Sequence, residues 1–111
     1  MKKYVAPKPL TRAEAIEALR STSPAETCQA LIDIAYFEPD GVWALEQALA
    51  FTHDPNDDVA NAATTAIGHL ARIHRDLDMS AAIARLNELK KDDRFKLSAK
   101  YALEDIEVFR R

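Results

Sequence analysis

Five apolar positions recur at a fixed distance along this chain, and that period constrains the fold more than any other feature. In the run DPNDDVANAATTAIGHL, residues 54–70, the side chains of Val59, Ala63, Ala66, Ile67 and Leu70 fall on one side of a helix. Thirty-six residues later, Phe95, Ala99, Ala102, Leu103 and Ile106 hold the corresponding places. Thirty-six residues earlier, Thr27, Ala30, Leu31 and Ile34 give a weaker copy. One amphipathic helix cannot bury its apolar side alone, so a repeat of this length reads as helical hairpins stacked on copies of themselves. The fold class expected is all-α: three stacked helical hairpins, about six helices.

Local signals divide the chain accordingly. Residues 1–10 read as an N-terminal arm, and residues 11–111 as a single domain with hairpins at about 11–37, 41–75 and 79–109. Thr11 with Glu14, and Ser23 with Glu26, have the spacing of capping boxes, and Pro24 stands where a first turn tolerates it. The EPDG run at 38–41 and Asp54-Pro55 read as turns, since proline lacks a backbone donor and fixes its own φ. Arg72, His74 and Arg75 suit the negative end of the central helix. In the first helix of each hairpin, Ile16 and Leu19 give an apolar edge, Val42, Leu45 and Leu49 are predicted to face inward, and Ile83, Leu86 and Leu89 are the apolar positions of the third. Trp43 sits at the edge of its helix's apolar stripe, where core is the expected assignment. The 111 residues suffice for one modest core, and 48% apolar with 30% charged residues is a globular rather than a disordered balance.

The run DPNDDVANAATTAIGHL also resembles the second helix of a HEAT repeat: an Asp-Pro turn, a valine, small alanines, then Ala-Ile-Gly. The third copy, DDRFKLSAKYALEDI, keeps Ala-Ala-Leu but has Glu104 for the glycine. The first, SPAETCQALIDIA, has Ser23 for the valine and Ile32 for the glycine, and Ala60 stands where the family commonly has arginine. The resemblance implies a short HEAT-like α-solenoid whose second helices line a concave face. It also implies a protein-binding scaffold, a class that serves many unrelated roles.

No catalytic constellation stands out. Cys28 is the lone cysteine, expected at a partly exposed position, with no His or Asn placed near it by the sequence. His69 and His74 are five apart, which is not metal-pair spacing on a helix, and no phosphate-cradling glycine loop is present. The expectation is no enzyme, no cofactor and no metal. The start MKKYVAPKPL lacks the apolar run of a secretory signal, and no stretch is long enough to span a bilayer, so the expected location is the bacterial cytoplasm.

Charge is uneven. Between Ser21 and Ala71 there is no Lys or Arg, while Glu26, Asp33, Glu38, Asp40, Glu46, Asp54, Asp57 and Asp58 all fall there. Such a block repels nucleic acid and attracts a basic protein. The plainer reading is helix capping and solubility. A second surface is predicted on the outer sides of the second helices: Ala25, Gln29, Ile32 and Tyr36; Asn61, Thr65, Gly68 and Arg72; Leu97, Tyr101, Glu104 and Val108. The partner-binding residues expected are therefore Asp40, Asp54, Asp57 and Asp58 in the acidic turns, and Tyr36, Thr65, Arg72 and Tyr101 on the helix face. The function expected is a bacterial immunity or inhibitor protein neutralising a basic toxin, such as a nuclease. A generic HEAT-like scaffold or accessory subunit is the alternative. A homodimer through the exposed apolar residues is also open.

Overall fold

The structure is a computed structural model and describes residues 6–109. Residues 1–5 of the expected arm, and residues 110 and 111, lie outside the described residues. Six helices follow one another: α1 (Arg12–Leu19), α2 (Pro24–Phe37), α3 (Gly41–Phe51), α4 (Asp57–Ile73), α5 (Ser80–Leu89) and α6 (Lys96–Phe109). There is no strand among the described residues. The helices form two layers. In one, α4 lies between α2 and α6; in the other, α1, α3 and α5 each cover one of these.

The repeat explains why α4 is central. Val59, Ala63, Ala66, Ile67 and Leu70 are all buried, as are Thr27, Ala30, Leu31 and Ile34 on α2, and Ala99, Ala102 and Ile106 on α6 with Phe95 just before it. Fully burying an Ile or Leu side chain contributes about 1.5–3 kcal/mol, and Leu31, Ile67, Leu70 and Leu86 are among the largest such side chains. Small residues set the helix spacing. A Cβ at Gly68 would lie 3.2 Å from the Cα of Ala102 and 2.8 Å from Oδ2 of Asp105. Gly68 therefore faces α6 and is buried, which corrects its expected place on the open face: α6 approaches α4 closely enough to cover that position.

The caps follow the predicted chemistry with two changes. The Thr11–Glu14 capping box is complete. Ser23 accepts from the Glu26 N–H, but the Glu26 carboxylate accepts from the Ser21 hydroxyl, and the Ser23 N–H donates to Ser21 Oγ. Ser21 thus takes the reciprocal half of the second box. Asn56 caps α4, accepting from the N–H groups of Asp58 and Val59. That helix ends at Ile73, with His74 already out of helical geometry as the C-cap, so His74 and Arg75 stand beyond it rather than in its last turn. His74 donates from Nε2 to the Glu38 carbonyl at 3.1 Å, and the bare backbone of Gly41 leaves room for its ring.

The described part of the arm is docked. The Lys8 N–H donates to Asp33 Oδ1 at 3.0 Å, Gln29 donates to the same oxygen, and Leu10 packs on the core. Asp33 is thereby 2% exposed. In the outer layer, Ile16, Val42 and Ile83 are exposed, Val42 to 64% against the inward placement expected of it. Each outer helix rests mainly on its own inner partner. Ala15 and Leu19, Ala44, Leu45 and Ala48, and Ala82, Leu86 and Leu89 fill that narrow contact. Trp43 is half-buried against the core, with the Arg12 guanidinium 3.9 Å from its ring centroid. No helix among the described residues is long and apolar enough to cross a membrane.

Candidate protein-binding face

The outer sides of α2, α4 and α6 carry exposed apolar groups around one enclosed cation. The Tyr36 ring lies against the His69 imidazole, centroids 4.8 Å apart and tilted by 36°. Arg72 donates from Nη2 to His69 Nδ1. Arginine has donors only, so this nitrogen must be the unprotonated one. Burial first, and then the neighbouring Arg72, push the His69 pKa below its ordinary value, with Asp105 acting in the opposite direction. The Nε of Arg72 is buried and, among the described residues, has no hydrogen-bond partner. On α2, α4 and α6, Tyr36 is 38% exposed, Tyr101 55% and Val108 53%; Phe37, Ile73 and Leu97 are exposed as well. Thr65 is exposed on α4. The 36-residue period puts Tyr36, Arg72 and Val108 on one rung and Gln29, Thr65 and Tyr101 on another. By that period Tyr36, Thr65, Arg72 and Tyr101 share the outer side of α2, α4 and α6, and the contacts among them run from Tyr36 to His69 and from His69 to Arg72.

The acidic residues are arranged otherwise. Arg12 bonds Glu38 Oε1 and Asp40 Oδ2, each at 3.2 Å. The Trp43 N–H and the Arg12 guanidinium hold Asp40 below the usual carboxylate range. Arg94 reaches Asp57 at 2.8 Å and Asp92 at 2.7 Å. Asp54 accepts from the Asn56 N–H at 2.9 Å, and Asp58 is exposed on the first turn of α4. The acidic block of the sequence is therefore no continuous acidic surface. Cations from α1 and from the α5–α6 turn close on it, and several carboxylates cap helices or turns. Nor do the four predicted aspartates form one site. Asp40 stands by the C-terminal end of α4, through the Glu38–His74 bond, whereas Asp54, Asp57 and Asp58 stand at its N-terminal end. At 1.5 Å per residue, the 17-residue α4 separates those ends by about 24 Å.

Sequence reasoning missed His69, Asp105, Arg12 and Arg94. His69 carried a signal, since it precedes Arg72 by three residues and so shares its helix face. The reach of Arg12 to Glu38 and Asp40, and of Arg94 to Asp57, carried none, because these partners lie 26 to 37 residues away. Elsewhere, a cleft of roughly 320 Å³ between the α3–α4 turn and the third hairpin is lined by His53, Asp54, Arg85, Glu88 and Arg94 among others. Arg85 already donates there to the hydroxyl and carbonyl of Thr52. Cys28 is half-buried, as expected. Among the described residues no three His, Cys, Asp or Glu side chains converge as a metal-holding group.

Fold and face together define an all-α stack of helical hairpins whose concentration of exposed aromatic and charged groups lies on an open helical surface. No family model matches the chain, and no curated protein does. Among solved structures it is similar to a chain in the crystal structure of a CDI complex from Cupriavidus taiwanensis LMG 19424. The sequence identity is 33%, all of both chains is covered, and the TM-score is 0.89. The protein belongs to the same family as that component of the CDI complex.

Proposed function

We propose that this protein is the immunity component of a CDI (contact-dependent inhibition) pair: a non-enzymatic inhibitor that binds a protein toxin in the cytoplasm and neutralises it. The observation that carries the reading is full-length similarity, in sequence and in fold, to a chain of a CDI complex. The face formed by Tyr36, Thr65, Arg72 and Tyr101 supports it, because Tyr and Arg are the usual anchors of protein interfaces. A basic toxin, such as a nuclease, is the partner we favour. The chain carries a net charge of −3, and Glu46, Asp58, Glu104 and Glu107 are exposed to steer such a partner in. We also read the 36-residue period and the paired layers as a HEAT-like stack.

The test is co-expression with the product of the gene immediately upstream, followed by gel filtration and a growth assay. The expected outcome is a neighbour that is toxic alone, harmless with this protein, and co-eluted with it as a tight heterodimer. A toxic neighbour that this protein neither binds nor neutralises would end the inhibitor reading.

A further inference from the structure

Building on the inhibitor reading above, we infer that Arg72 is the anchor for a carboxylate of the toxin, an aspartate or glutamate side chain docking on the helix face beside Tyr36. The charge accounting of the molecule leads there. Arg12, Arg85 and Arg94 each have a carboxylate of this chain: Glu38 and Asp40, Glu88, and Asp57 with Asp92. Arg72 is more enclosed than Arg12 or Arg94, yet among the described residues it has no carboxylate partner. Its guanidinium meets the lone pair of an imidazole, and its Nε is sealed from water without an acceptor. Holding a cation half out of water without a counter-charge is costly, and a carboxylate brought by a partner removes that cost.

Asp105 does not fill the role within the chain. Its Oδ2 lies against Gly68, and it makes no ion pair with Arg72 among the described residues. The surroundings also select the class of anion. Glu104 and Glu107 are exposed on α6 on either side of Asp105 in the sequence, so this helix disfavours a polyanion such as nucleic acid. Tyr36, stacked on His69, and Val108, on the same rung as Arg72, are exposed apolar groups that a docked partner would cover, which strengthens a charge-assisted bond from the fork of an arginine.

The test measures affinity for the toxic upstream product, using the full chain at one fixed salt concentration. Arg72→Glu should weaken binding at least a hundredfold, and Arg72→Gln at least tenfold with an unchanged melting temperature. Asp57→Asn should stay within threefold. Replacing toxin carboxylates one at a time by Lys should reveal one position that restores binding to the Arg72→Glu variant. If the wild-type protein binds the toxin and Arg72→Gln binds it within threefold, the anchor assignment is wrong while the inhibitor reading stands. A homodimer that Arg72→Gln dissolves, with toxin binding unchanged, would equally overturn the assignment. If the wild-type protein does not bind the toxin at all, the inhibitor reading fails and the assignment fails with it.

Discussion

Two charged regions of this molecule look alike in composition and behave in opposite ways. At the ends of α4 the carboxylates come in clusters, and the chain itself matches them. Arg12 crosses from α1 to Glu38 and Asp40, and Arg94 crosses from the α5–α6 turn to Asp57. On the outer face of α4 there is a single cation, Arg72, and the chain gives it a neutral histidine instead of a carboxylate. The clustered charges are committed to caps and turns, while the solitary one keeps its electrostatic demand for something outside. Counting charges along a chain therefore locates surface electrostatics poorly. What matters is which charges the fold has already paired.

Four measurements test this contrast. The largest effect is expected at the seam that builds the face. Gly68→Val puts a branched side chain where Ala102 and Asp105 already lie, so α6 must move away from α4. Overpacking of this kind costs about 1–3 kcal/mol, and we expect the upper end in a urea titration. A stability unchanged by this variant would mean that α6 does not need its close approach.

Next comes the rim of the face. Tyr36→Ala should weaken toxin binding at least tenfold with little change in melting temperature, whereas Asp40→Asn should leave binding within threefold. Equal losses from both variants would erase the distinction between face and ends.

The third test is a histidine titration followed by NMR. The His69 ring should titrate below the ordinary histidine value, because burial and Arg72 disfavour its charged form. A histidine whose folded pKa is depressed binds fewer protons when folded. Its contribution to stability is therefore fully present above the ordinary histidine pKa and is lost as pH falls through the lowered folded value. His69→Gln should flatten that part of the acid side of the stability profile. A His69 that titrates at or above the ordinary value would remove the neutral acceptor assumed for Arg72.

The smallest effect concerns the paired ends. Arg94→Ala should leave the urea midpoint unchanged, since surface ion pairs contribute little. It exposes Asp57, so association with a basic toxin should become about two- to threefold faster at low salt and unchanged at high salt. A loss of affinity in this variant would place Arg94 itself in the interface.

The six helices, their order, and the buried stripe of each inner helix are legible in the residues alone. These depend on neighbours within a few turns: Val59 to Leu70 repeats at helical spacing, and the Thr11 and Ser23 caps are read over three residues. The sequence also singled out Tyr36, Thr65, Arg72 and Tyr101 together, because one period of 36 carries a face from hairpin to hairpin. Only the tertiary structure decided which positions lie at helix seams and which charges are spent. Gly68 reads as outward on a lone helix and is buried because α6 arrives beside it. Val42 reads as inward and Ile16 and Ile83 as apolar positions of their helices, and all three are exposed because each outer helix has chiefly one neighbour. Asp40 and Asp57 read as open acids and are paired because Arg12 and Arg94 are folded onto them from 28 and 37 residues away. Periodicity along a chain registers the direction of a side chain, but not what the rest of the molecule places in its path.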